Sequence, residues 1–401
     1  MVSFRKLAFL LNLVPFAVAG PIVAGTIEPR EPAVKTEGKY IVILKDGVTA
    51  KGAESHLGWV NDVHKRSLGR RDLTGVETTY EIGDKFRGYT GQFDEATLEE
   101  IKKNPDVAEV ELDQTYTLSA TMAQSGAPWG LGAISNRNRG STTYRFDSSA
   151  GSGSYAYVID SGVNVRHVEF GGRAVHGYNA AGGAFDDTLG HGTHVAGTIA
   201  GRTFGVAKSA NIIDVKVFRD RESSTSVILN GFQWAVNDIL SKGRQRRAVI
   251  NMSLGGPYSA AFNSAVRSAF NYGILTVVAS GNENTPAAYG SPASAPEVIT
   301  VGAVNYNWIE DSYSNYGPAV DILAPGTGVV SAYIGSTSST AALTGTSMAC
   351  PHVAGLALYL AVRENINSPG ALTSRIKALG TAGVTRRKYR SPNLIAYNGI
   401  A

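Results

Sequence analysis

A succession of short apolar runs separated by helical stretches constrains this chain more than any other feature. Tyr155-Ala156-Tyr157-Val158-Ile159, Ile212 to Val217, Ala248 to Ser253 and Ile274 to Val278 read as buried strands. A helix passing through Trp234 and another over Ala260 to Tyr272 lie between them. Strand alternating with helix predicts a parallel sheet with helices on both faces, an α/β architecture. In such folds chemistry collects where parallel strands end, so the residues just beyond these runs carry the functional signal.

The first run ends in Asp160-Ser161-Gly162, which sets a carboxylate at a strand terminus. His191 lies in Gly190-His191-Gly192-Thr193-His194-Val195-Ala196-Gly197-Thr198. Small residues at 192, 196, 197 and 200 let a helix there pack closely beneath a site. Ser347 stands in Gly345-Thr346-Ser347-Met348-Ala349-Cys350-Pro351-His352, just ahead of the apolar run Val353 to Leu360. This predicts a hydroxyl at the start of a buried helix, where unpaired N–H groups and the positive dipole end favour a developing oxyanion. A serine hydroxyl needs a base to act as a nucleophile, and a histidine oriented by a carboxylate is such a base. His194 follows His191 by three residues, but the acid of an H-E-x-x-H zinc motif is missing. His194 and His352 are therefore expected to be structural.

The three blocks Val158 to Val163, Gly190 to Gly197 and Gly345 to Gly355, in the order Asp, His, Ser, resemble the signature segments of subtilisin-like serine proteases. The likeness is closest to the proteinase K-like branch of filamentous fungi. It implies a serine endopeptidase working through Asp160, His191 and Ser347, with no catalytic cofactor. By the same resemblance Asn282, in Ala279-Ser280-Gly281-Asn282, supplies an oxyanion donor together with the Ser347 N–H. Ser253-Leu254-Gly255 would pair with an extended peptide, and Ala279, Ser280 and Gly281 would line the primary specificity pocket. No acid stands among these, so apolar and small residues are the expected preference. The resemblance also implies a structural calcium on the carbonyls of Pro296 and Val298 and the carboxylate of Asp321, oxygen donors that suit the ion. The facing wall of the cleft, glycine-rich in relatives, here reads Arg219-Asp220-Arg221-Glu222-Ser223-Ser224; it is either a solvated loop or an influence on the outer subsites.

The chain has 401 residues, more than this one domain needs. Residues 1–19 join Arg5 and Lys6 to an apolar stretch from Leu7 to Val18 and end in Ala17-Val18-Ala19, the pattern of a secretion signal. Beyond it the expected order is a strand at Lys39 to Leu44, a helix over Glu54 to Ser67, and strands at Thr78 to Ile82 and Tyr89 to Phe93. A helix over Glu95 to Lys103 and a strand at Val107 to Leu112 complete it. This β-α-β-β-α-β order is ferredoxin-like. It resembles the inhibitor-like prosegment of subtilases, within 39–118 of a propeptide spanning 20–119. Self-cleavage after Ser119 would then leave a peptidase domain of 120–401, with Tyr116 and Ser119 having occupied the cleft.

The reading is an exported zymogen acting on protein or peptide substrates, a monomer restrained by its own prosegment. A vacuolar enzyme of the cerevisin type is the alternative destination, and a catalytically silent binding protein is the alternative of another class. The single cysteine, Cys350, excludes an intramolecular disulfide and reads as a small buried hydrophobe. A net charge of +4, with basic clusters at Arg244-Gln245-Arg246-Arg247 and Arg386-Arg387-Lys388 lacking interleaved aromatics, points away from nucleic acid and towards solvated surface. The sequon Asn251-Met252-Ser253 falls in an apolar strand and is expected to be unused.

Overall fold

The computed structural model describes residues 38–67, 73–113, 120–383 and 388–400. The chain divides into two compact units, one within 24–118 and one from 119 onward. The secretion-signal segment, the cleft-binding tail Tyr116 to Ser119, and Arg386 and Arg387 lie outside the described residues.

In the first unit the strands Lys39–Leu44, Gly75–Ile82, Phe86–Gln92 and Val107–Leu112 form an antiparallel sheet. The order across it is Gly75–Ile82, Phe86–Gln92, Lys39–Leu44, Val107–Leu112. The helices Ala50–Arg66 and Glu95–Lys103 pack on it around Val42, Val60, Tyr89, Phe93 and Ile101. The first helix begins four residues before the expected Glu54. The Thr49 hydroxyl caps it by accepting from Gly52 N–H at 3.1 Å, a local bond that, with the helix-favouring Ala50 and Ala53, outweighs the cost of Gly52.

In the second unit the central sheet is parallel throughout. Its order is Ile322–Pro325, Ile299–Val304, Leu275–Ala279, Ala248–Met252, Tyr155–Asp160, Asn211–Lys216, Ala174–Asn179. The edge strand Ala174–Asn179 has no counterpart in the apolar runs, because only Ala174 of its residues is fully buried. Consecutive residues of the inner strands serve opposite cores. Ala156 and Val158 face the helices His191–Ala200 and Thr346–Arg363, while Tyr157 and Ile159 face Thr225–Ser241 and Ala260–Asn271. Burial on both faces is why these strands lack polar alternation.

The helix Thr346–Arg363 is the axis of the first core, buried almost along its whole length. Close packing sets its neighbours' sizes. A Cβ on Gly197 would lie 2.3 Å from Ser331 Oγ and one on Gly355 3.0 Å from the Ile199 carbonyl, so larger residues would push the helices apart.

The basic clusters are not simply solvated. The Arg244 guanidinium stacks on Tyr155 at 3.8 Å and donates to Tyr157 Oη at 2.9 Å. A delocalised cation sheds water readily and lies well against an aromatic face. Lys388 Nζ donates to Asn284 Oδ1, Ser312 O and Ser314 O at 2.8–2.9 Å, so backbone oxygens replace its water.

Candidate active site

The Asp160 carboxylate closes the strand Tyr155–Asp160 and is 2 % exposed. Its Oδ1 accepts from Ser161 N–H and from His191 Nδ1, both at 2.7 Å. His191 is the first residue of its helix, following Gly190 at φ 77°. A Cβ at Gly190 would meet the Tyr333 ring at 2.3 Å, which requires glycine there on two counts. Burial opposes the imidazolium of His191, but the Asp160 charge and hydrogen bond, aided by Asp187, raise its pKa above the ordinary histidine value.

Asp187 was not singled out by sequence and organises this corner. Its Oδ1 accepts from Ser161 Oγ at 2.9 Å, Leu189 N–H at 3.1 Å and Gly190 N–H at 2.9 Å. Oδ2 accepts from Thr193 N–H at 3.0 Å and Thr193 Oγ1 at 2.6 Å. A carboxylate thus caps the helix that begins with His191. The only sequence signal was an acid shortly before the Gly190-His191 start.

Ser347 is the second residue of the helix Thr346–Arg363, and its Oγ donates to the Ser253 carbonyl at 3.1 Å. The hydroxyl therefore rests on Ser253, with no bond to His191 Nε2. Pro351 explains the reciprocal contact. It has no N–H for the carbonyl four residues earlier, and Ser253 Oγ donates to that freed Ser347 carbonyl at 2.9 Å.

The amide of Asn282 is oriented by Thr346. Thr346 N–H and Oγ1 both reach Asn282 Oδ1, at 2.8 and 3.0 Å. Of the two ends of the amide only the oxygen can accept from an N–H, so Nδ2 of Asn282 is turned away from Thr346. Gly281, at φ 103°, makes the turn possible, since a Cβ there would lie 2.2 Å from Asn315 Nδ2. Asn315 holds the turn from beneath. Its N–H bonds the Gly281 carbonyl at 2.9 Å, and its Oδ1 accepts from Glu283 and Thr285 N–H at 3.0 Å each. No local sequence pattern identified Asn315, which acts across a gap of more than thirty residues.

Asp160, His191, Asn282 and Ser347 line one open cleft of about 760 Å³, with Ser253, Leu254, Gly255, Ala279, Ser280 and Gly281. Glu283 also lines it, an acid the sequence reading did not count. Its Oε2 is turned back onto Asn282 N–H at 2.9 Å and Asn315 Nδ2 at 2.7 Å, so it braces the turn. Pro296, Val298 and Asp321 lie outside this cleft.

His194 is buried, with Nε2 2.9 Å from the Val329 carbonyl. Burial lowers its pKa to about 4, and that of His352 likewise to about 4. Both are neutral packed histidines. Cys350 is fully buried with Sγ 3.2 Å from Asn251 Oδ1, and burial pushes its thiol pKa up. Asn251 of the sequon is itself fully buried and donates to Ser253 Oγ at 3.1 Å, leaving no room for a glycan.

A profile of the subtilase family matches residues 151–382, and one of the peptidase inhibitor I9 family matches residues 39–119. The chain belongs to the subtilase family. It is 53 % identical to alkaline protease 1 of Emericella nidulans, across 100 % of this chain and 99 % of that protein. It is 54 % identical to an alkaline proteinase of Hapsidospora chrysogena, over 100 % and 99 % of the two chains. A crystal structure of a cold adapted subtilisin-like serine proteinase superposes with a TM-score of 0.63 at 39 % identity, covering 68 % of this chain and 98 % of that one. This subtilase is accordingly a serine endopeptidase with the subtilisin-like fold and an inhibitor-type prosegment.

Proposed function

We propose that this subtilase is an exported endopeptidase, made as a zymogen, whose nucleophile is Ser347, base His191 and orienting acid Asp160. The observation that carries the reading is the 2.7 Å bond from His191 Nδ1 to Asp160 Oδ1 in a cleft that also holds Ser347 and Asn282. With its Nδ1 proton held by Asp160, the imidazole offers Nε2 as the base. Ser347 Oγ leaves the Ser253 carbonyl, turns to Nε2 and attacks the scissile carbonyl carbon as Nε2 takes its proton. The imidazolium then protonates the leaving amine, and Asp160 stabilises the charge meanwhile. The oxyanion is received by Asn282 Nδ2 and Ser347 N–H; Thr346 aims the first, and a helix start supplies the second. A substrate strand pairs with Ser253 to Gly255, its side chain entering the pocket beside Ala279, Ser280 and Gly281. The wide, largely uncharged pocket favours apolar and small residues.

The calcium expectation meets an obstacle. Both oxygens of Asp321 are engaged, Oδ1 by Lys377 Nζ at 2.9 Å and Oδ2 by Thr300 N–H at 3.0 Å. Among the described residues no group of three or more acidic, histidine or cysteine side chains is arranged to hold a metal ion. Calcium at Pro296 O, Val298 O and Asp321 would have to displace the Lys377 ammonium that already neutralises the one carboxylate, and no part of the reaction depends on it.

Intact mass of the purified zymogen after incubation tests the reading. The wild type should lose about residues 20–119, with the cut within a few residues of Ser119, and Ser347→Ala should stay whole. Equal maturation of both, with no peptide hydrolysis by either, would remove Ser347 from its assigned role.

A further inference from the structure

The charged side chains of the cleft differ in what they already hold. Asp160 is bound to His191, and Glu283 is bound to Asn282 and Asn315. Arg221 lines the same cleft and is exposed, and among the described residues it makes no hydrogen bond or ion pair. Among the described residues it is the lining charge with no hydrogen bond to any other group.

Its position follows from the sheet. The strand ending in Asp160 is flanked by Ala248–Met252 on one side and Asn211–Lys216 on the other. Ser253 to Gly255 continues the first neighbour, and Phe218 to Arg221 continues the second. The two segments form opposite walls where the sheet ends. An extended peptide paired with Ser253 to Gly255 has its other edge towards Phe218 and Arg221. Leu189, Phe218 and Tyr333 line the cleft as well and give it apolar surface.

We propose that Arg221 is a specificity-determining residue, forming an outer subsite for a carboxylate side chain, Asp or Glu, on the acyl side of the scissile bond. The assignment rests on the protease reading above and narrows it. Polypeptides carrying an acid two to four residues before the cut are favoured over their neutral counterparts. The guanidinium presents a planar fork of donors matched to a carboxylate. Because the pair stays open to water, its effect is modest and salt-dependent.

Internally quenched peptides, identical except for Glu, Gln or Lys at each acyl-side position beyond the first, provide the test. The mature wild type, Arg221→Gln and Arg221→Glu are compared by the ratio of kcat/KM between peptides within each enzyme. At low ionic strength the wild type should favour Glu over Gln by about 2- to 5-fold at one position, the range of exposed ion pairs. That ratio should fall to about one in Arg221→Gln and at high salt, and Arg221→Glu should favour Lys at the same position. A wild type indifferent to charge at every position, or a Glu preference kept by Arg221→Gln, overturns the proposal. Hydrolysis by the wild type and none by Ser347→Ala reports on the protease reading separately, so failure of one is distinguishable from failure of the other.

Discussion

Replacing Asp187 by asparagine should destabilise the peptidase unit at the start of the His191 helix. The carboxylate serves five donors, three on Oδ1 and two on Oδ2. An amide keeps the shape but offers one acceptor oxygen. Its best placement keeps that oxygen on Ser161, Leu189 and Gly190 and turns the NH2 towards Thr193. The Thr193 hydroxyl can rotate and accept, but the Thr193 N–H is left facing a donor. An unpaired buried N–H costs about 1–3 kcal/mol. The three remaining bonds lose their charge assistance, and the helix start loses a favourable anion worth about 0.3–1 kcal/mol. Relief from burying a charge offsets part of this, leaving about 3 kcal/mol. For a unit of roughly 280 residues that lowers Tm by about 5 °C. Scanning calorimetry in a Ser347→Ala background, where autolysis is prevented, measures it. A fall below about 2 °C would refute the claim that Asp187 holds this corner.

Three further outcomes are expected. Asn282→Ala should lower kcat by about 10²–10³ with little change in KM, because on the proposed mechanism its amide meets charge that exists only in the transition state; steady-state kinetics on one peptide decides it. The acid limb of the kcat/KM profile should lie above the ordinary histidine value of about 6.5, since Asp160 and Asp187 raise His191 and only the neutral imidazole is a base. The raised value also means that the imidazolium–Asp160 pair stabilises the fold at low pH, and that this contribution fades as pH rises through the same value. Activity therefore increases over the window in which that stabilisation is lost, and an acid limb below 6.5 would contradict the geometry. Chelation or added calcium should leave the wild-type Tm unchanged, whereas Lys377→Met should make it rise with calcium by freeing Asp321; a calcium-responsive wild type would show that Lys377 yields to the ion.

Much of the fold was legible because its signals are local. Strands buried on both faces are continuous apolar runs, as at Tyr155 to Ile159, and turns that need glycine declare themselves, as at Gly281 and Gly345. The residues that converge on the cleft were readable for the same reason: Asp160, His191, Asn282 and Ser347 each sit at a strand end or helix start, where neighbouring sequence dictates the conformation. Ala174–Asn179 was missed because an edge strand half open to water has no apolar period to detect.

What only the tertiary structure decided is which distant groups meet. Asp187 beneath Ser161, Asn315 beneath Gly281, Thr346 on Asn282, and Lys377 on Asp321 are pairings across long stretches of chain. A polar side chain in a sequence reports its capacity to bond but not its partner. The partner is chosen by packing, which places one buried donor beside one acceptor and leaves both without water. Arg221 shows the converse: its charge is plain in the sequence, but that it lines the cleft with no partner among the described residues is known only once the fold has placed the other charges.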